Sequence, residues 1–147
     1  MIAAQTADYL LIPLLDGTSG IGQVIDADAT APGTFCLGLT LKRGAADRHP
    51  APMIPADFLA FANVAQDPVL SEQWPIAGFD QLPALADLFD GQNQIPDHLR
   101  NPEDSKDPAI VEAFLSACHG LYPWDGFGTL FETMLRAPEL KPAAARP

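Results

Sequence analysis

The chain has 147 residues, enough to bury one sizeable core without disulfide or metal staples, and 48% of them are hydrophobic, which suits a single domain. A formal net charge of −11, from 19 acidic against 8 basic residues, repels phosphate backbones and anionic membranes, so it argues against nucleic-acid and membrane binding and favours basic partners. The opening MIAAQTAD has no basic segment ahead of an apolar stretch, and no apolar run reaches the ~20 residues of a membrane span.

Two apolar runs, Tyr9–Leu15 and Ile21–Ile25, flank Asp16-Gly17-Thr18-Ser19-Gly20, a set of turn-formers that closes a β-hairpin. Odd and even positions of the first run are both apolar. Side chains alternate across a strand, so this one is expected to be buried on both faces. Thr34–Leu41 alternates instead, with Phe35, Leu37, Leu39 and Leu41 on one side and Cys36, Gly38 and Thr40 on the other, the pattern of a half-buried antiparallel strand. Phe58–Ala65 fits either period. Its shortness, its closure by Gln66-Asp67-Pro68 and the strand-like run Trp74–Phe79 that follows favour a strand. Five strands with short connections within the first 80 residues predict an antiparallel barrel or curled, barrel-like sheet, in a mainly-β member of the α+β class.

From Asp80 to Asp107 prolines interrupt the chain, and seven acidic residues stand against Arg100 and Lys106, a net charge of −5. This stretch is expected to be a loop, with at most a short helix at Ala84–Phe89. Two helices follow. Asp107 caps the first, Pro108 opens it, and Ile110, Val111, Phe114, Leu115 and Cys118 form its apolar stripe. The second is expected over about 127–136, with Asp125 as its N-cap, Glu132 and Arg136 as an i,i+4 pair and Pro138 as its stop. Each helix needs a surface to cover, and the doubly apolar first strand offers one. The tail from 137 to 147 is expected to fray. Cys36 and Cys118, in apolar or helical settings far apart, suit reduced thiols in a cytoplasmic protein.

No stretch carries a strong catalytic fingerprint. Gly17–Gly22 is glycine-rich but leads into Gln23-Val24 of a strand rather than Gly-Lys-Ser/Thr and a helix, so it reads as a turn. Ser19 lacks the frame of an esterase nucleophile. His49, His98 and His119 stand singly, and no metal site is expected from them. The sharpest local feature is the aromatic turn Gly120–Gly126. Its Trp124 is either a core plug or part of a ligand site, and the enzyme alternative is a small hydrolase or metal-assisted enzyme using His119 and Asp125, with His98, around Trp124.

Three pieces, in order, resemble the immunity protein 26 family of bacterial polymorphic-toxin systems: LIPLLDGTSGIGQVI, WPIAG at Trp74–Gly78, and CHGLYPWDGFGTLFETML at Cys118–Leu135. They cover about half the chain. The resemblance implies a mainly-β, non-enzymatic, cofactor-free protein that neutralises a cognate toxin by binding it, and the acidic composition would suit a basic toxin such as a nuclease. The docking surface is then expected on Asp87, Asp90, Asp97 and Asp104, with help from Asp26 and Asp28. A competing surface is an aromatic patch around Tyr122 and Trp124. A generic cytosolic interaction module is the remaining alternative.

Overall fold

The computed structural model describes residues 2–27 and 33–147, so Asp28 lies outside the described residues. Five strands, β1 (Asp8–Pro13), β2 (Ser19–Asp26), β3 (Thr34–Gly44), β4 (Phe58–Ala65) and β5 (Ile76–Phe79), form one antiparallel sheet in the order β4-β3-β2-β1-β5. The first four make a meander. The chain then crosses, by way of the short helix α1 (Asp67–Leu70), to the opposite edge, where β5 pairs with β1.

The sheet is not closed into a barrel, which corrects the barrel expectation. Its two edges are occupied differently. On β4 the outer edge is taken by chain from elsewhere: the Arg136 amide donates to the Leu59 carbonyl at 2.7 Å, the Lys106 amide donates to the Asn63 carbonyl at 2.8 Å, and isolated bridges join Ala60 to Leu135 and Val64 to Lys106. Edge groups satisfied in this way have no further strand to recruit. At the other edge β5 is four residues long, too short to carry a closing ladder.

The expectation for the first run holds over Tyr9–Ile12, where Leu10 and Ile12 enter one core while Tyr9 and Leu11 enter another on the opposite face, but the strand ends at Pro13 and Leu15 is exposed in the turn. That for β3 needs correcting. Residues Phe35 to Thr40 are all buried, because Cys36, Gly38 and Thr40 are small enough to lie under a second layer. Gly38 shows how tight that layer is: a Cβ there would come within 2.6 Å of the Phe58 ring. Thr40 satisfies its hydroxyl by donating to the Ile21 carbonyl at 2.8 Å.

Three further helices complete the chain: α2 (Leu85–Leu88), α3 (Pro108–Cys118) and α4 (Leu130–Met134). Asp107 caps α3 by accepting from the Ala109 amide at 2.8 Å, with Pro108 at the first position. At the other end the Leu121 amide reaches back to the Ser116 carbonyl and Gly120 adopts φ +76°, a Schellman stop that favours glycine. The last helix is shorter than its apolar periodicity suggests. It starts after Thr129 rather than at an Asp125 cap, because Gly126 and Gly128 lie in a turn. Glu132 and Arg136 do not pair with each other. Glu132 accepts from the Trp124 indole at 2.7 Å and lies 3.4 Å from Lys141, while Arg136 bonds backbone carbonyls.

The first core joins Leu10 and Ile12 of β1 to Phe114 and Leu115 of α3 and to Trp124 and Phe131, with the Phe114 and Phe131 rings edge-on at 5.6 Å. The second joins Tyr9, Leu11, Ile25 and Phe58 to Leu88, Phe89, Ile95 and Leu99. The acidic stretch, expected to be a loop, is therefore the second covering layer of the sheet, built from α2 and two single 3-10 turns at Asp97–Leu99 and Pro102–Asp104. The tail, expected to fray, is held too: Ala145 is buried and the Trp124 amide donates to the Arg146 carbonyl at 2.9 Å. Among the described residues no helix is long and apolar enough to cross a membrane.

Candidate functional site

Burying Leu88, Phe89, Ile95 and Leu99 turns the opposite side of the covering segment outward, and that side carries the acids. Asp87, Asp90, Asp97 and Asp104 are all exposed. The carboxylates of Asp87, Asp90 and Asp104 make no hydrogen bond or ion pair, whereas Asp97 is paired with Arg100 three residues on. A segment with its apolar side locked in a core presents these charges from fixed positions.

Asp90 and Asp104 also line a groove of about 450 Å³ where the covering segment meets the edge of β4. Its apolar wall includes Phe61, Leu88, Phe89 and Met134, with the Phe61 and Phe89 rings 4.7 Å apart. Such a volume falls in the ~300–1,000 Å³ range of binding clefts. Asn63 is among its lining residues and is 1% exposed. The Asn63 Nδ2 donates to the Leu99 carbonyl at 2.9 Å, but Oδ1 has no partner. The amide cannot be turned round to cure this, because the Leu99 carbonyl needs a donor.

Three basic residues reach the same groove. Arg136 is committed to the carbonyls of Pro55 and Asp87, at 2.7 and 2.8 Å, and the Lys106 ammonium leans on the Asp104 carbonyl at 3.4 Å. The third, His98, is exposed at the rim. Asp87 itself faces a second, more open hollow shared with Met53, Asp80 and Leu82.

The other expected site residues are dispersed. Asp26 ends β2 beside Cys36 and lines neither hollow. Trp124 is 4% exposed, packed on Phe114 and Phe131, with its indole N–H bonded to Glu132 and the Lys141 ammonium 5.5 Å above its ring, so it is a core plug. Of the aromatic patch only Tyr122 is accessible, half-buried and stacked on the exposed Phe127 at 5.9 Å. Asp125 is exposed. His119 faces the β1–β2 turn, where burial and the Arg43 guanidinium lower its pKa while Asp16 opposes them. His98 lies at the groove instead, so His98, His119 and Asp125 do not form one cluster, and no group of three metal-ligating side chains exists among the described residues.

One polar cluster had no sequence signal beyond its residue types. The Tyr9 hydroxyl donates to Asp80 at 3.0 Å, His49 lies 3.8 Å from the same carboxylate oxygen, and the two rings meet edge-on at 5.7 Å. Burial and the Asp80 charge push the Tyr9 phenol well above its ordinary range. The Gln23 amide closes the cluster by donating to the carbonyls of Ala7 and Asp80, at 3.1 and 3.0 Å. These bonds tie β1, β2 and the end of β5 together as a structural network, in which Gln23 Oε1 alone is buried without a partner. Asn63 was legible: an amide within the apolar run FLAFANVA, away from any turn, is a buried polar group in need of a reason.

Comparison with family profiles, with curated proteins and with solved structures finds no match to this chain.

Proposed function

We propose that this chain is a non-enzymatic immunity-type protein that neutralises a basic toxin, of nuclease type, by direct binding in the cytoplasm. The observation that carries the reading is the set of unpaired carboxylates of Asp87, Asp90 and Asp104, held outward by a segment whose apolar side is buried. Free charges on a rigid element are available to a partner without first breaking internal pairs. They also steer a cationic surface from a distance on a molecule of net charge −11. The same charge disfavours nucleic acid and anionic membrane as partners. Two buried, free cysteines agree with a reducing compartment. The N-terminal hairpin and the Cys118–Leu135 stretch resemble immunity protein 26, which supplies the toxin as the class of partner.

The test is co-production with the C-terminal domain of the secreted protein encoded beside this gene. The expected result is rescue of growth and a complex whose association slows steeply with salt. Growth arrest despite excess chain, or the lack of any such neighbour, overturns the toxin reading.

A further inference from the structure

We infer that the groove at the edge of β4 is a binding site for a small, neutral, flat molecule whose rim carries an N–H donor beside an acceptor, as in a carboxamide or a lactam. The inference goes beyond the toxin reading and does not rest on it. Its basis is the main chain. Residues of an antiparallel strand turn their N–H and C=O to alternate sides, and the register of β4 with β3 is unbroken from Ala60 to Ala65. The Asn63 carbonyl points away from β3, because it accepts from the Lys106 amide at 2.8 Å. Phe61, two residues back, therefore turns its own N–H and C=O the same way. The Ala60–Leu135 bridge covers the Phe61 N–H. The Phe61 carbonyl and the Asn63 N–H are left, an acceptor and a donor on either side of Ala62, and neither makes a hydrogen bond from this edge among the described residues. The groove takes its walls from both layers, Phe61 and Phe89 from the second core and Met134 and Leu135 from the first. It therefore lies across the strand edge between them. Phe61, Ala62 and Asn63, successive residues whose side chains alternate between faces, line it together along that edge.

The length of the gap in the edge fixes what fits. A residue bridged in parallel to Ala62 would bond the Phe61 carbonyl and the Asn63 N–H, as Lys106 is bridged to Val64 two residues on. The gap is one such bridge long, closed at one end by Leu135 and at the other by Lys106, so a strand of another chain has no room to run through it. A compact group with a donor beside an acceptor makes both bonds. The charges decide for a neutral ligand, since Asp90 and Asp104 are balanced by Lys106 and Arg136. An ion of either sign would be drawn by one pair, repelled by the other, and stripped of water. The walls decide for a flat ring. The Phe61 and Phe89 rings lie 4.7 Å apart with their planes at 47°, which offers an incoming ring both a face and an edge. A hollow of about 450 Å³ is ample for it.

The test titrates the full chain, labelled for NMR, with benzamide, whose rim has an N–H beside a carbonyl. Its relatives each change one feature: N,N-dimethylbenzamide has no donor, benzoate is an anion and benzamidinium a cation. Benzamide is expected to saturate with a dissociation constant on the order of 1 mM, the scale of one small fragment, and to shift the backbone amides of Phe61, Asn63 and Phe89. The Asn63 amide proton should move downfield as it donates. Loss of the donor should weaken binding about tenfold, and a charge of either sign should weaken it as much. Phe61→Leu, which keeps the main-chain pair and removes one ring, should weaken benzamide several-fold. If that variant does not fold, the ligand series on the unaltered chain decides alone. Equal affinity for N,N-dimethylbenzamide, tighter binding of benzoate or benzamidinium, an unmoved Asn63 amide, unchanged affinity in a folded Phe61→Leu, or no saturation by about 30 mM benzamide overturns the inference.

Discussion

Arg136 donates from Nη2 to the carbonyl of Asp87 at 2.8 Å and from Nη1 to that of Pro55 at 2.7 Å, so one guanidinium just beyond α4 ties down both the start of the acidic segment and the turn before β4. Each bond joins a charged donor to a neutral carbonyl, and Arg136 is only half-buried. Arg136→Ala should therefore destabilise the fold by about 2 kcal/mol, less than the ~3 kcal/mol at which two such bonds start, because water screens a half-exposed guanidinium. Hydrogen exchange should quicken first at Leu85–Leu88. Unchanged exchange there, with a native melting temperature, would show that the acidic segment holds itself.

Leu11→Asp and Phe131→Asp probe the two cores separately. Leu11 is 3% exposed under the acidic segment, and Phe131 is fully buried beneath the aromatic cluster. Each variant places an unpaired charge in an apolar site and should lose several kcal/mol, about 3–5, in chemical denaturation. A wild-type midpoint for Leu11→Asp alone would mean that the second core is dispensable, and with it the rigid display of Asp87 and Asp90.

How far these cores were legible follows from side-chain size. β1 was readable because Tyr9 to Ile12 are large and apolar on both faces. β3 was not, since the Cys36, Gly38 and Thr40 face looks weakly polar until Phe58 covers it. The acidic segment hid its role for another reason. Leu88, Phe89, Ile95 and Leu99 follow neither a helical nor a strand period, because prolines and 3-10 turns set their directions. Edge occupancy of β4 by Lys106 and Leu135 is a long-range event with no local signal, and so the open sheet was missed. Of the site, the charges were readable and the groove between them was not.

The β1–β2 turn makes a pH prediction. Asp16 accepts from the Thr18 hydroxyl and amide and from Arg43, and these bonds hold its carboxyl down at about 2, against an ordinary 3.8. A carboxyl depressed in the fold stabilises it fully above the unfolded value and loses that contribution as pH falls from about 3.8 through about 2. His119, depressed mainly by burial and by Arg43, acts in the same direction nearer neutrality, since the neutral ring is preferred and stability declines as pH drops below 6.5. In Asp16→Asn the first part of this acid sensitivity should vanish while the second persists. An NMR titration that puts Asp16 at its ordinary value would refute the assignment.

Cys36 and Cys118 are free and buried, and burial pushes the Cys118 thiol up to about 12 and the Cys36 thiol higher still. Neither should react with a thiol reagent at neutral pH until the protein unfolds, after which both should react at the ordinary rate. Rapid labelling of either in the native state would show that its covering layer opens.

The last prediction separates the acidic surface from the aromatic one by kinetics. Charges outside a desolvated centre act mainly on the rate of encounter, because their attraction extends over about a Debye length, ~8 Å at physiological salt. Anchors that fill pockets act mainly on escape. Changing Asp87, Asp90, Asp97 and Asp104 to Asn should therefore slow association with a basic partner and flatten its salt dependence, with the fold intact since all four are exposed. Asp97 should contribute least, because Arg100 already neutralises it. Removing the half-buried Tyr122 and the exposed Phe127 by Tyr122→Ala and Phe127→Ala should leave association unchanged, and it should speed dissociation only if that patch touches the partner. Trp124 is unsuitable for this comparison: buried and bonded to Glu132, it would report the loss of a core rather than of a contact. Association of the four-Asn variant at the wild-type rate in low salt would show that the acids are a solvated surface and that recognition lies elsewhere.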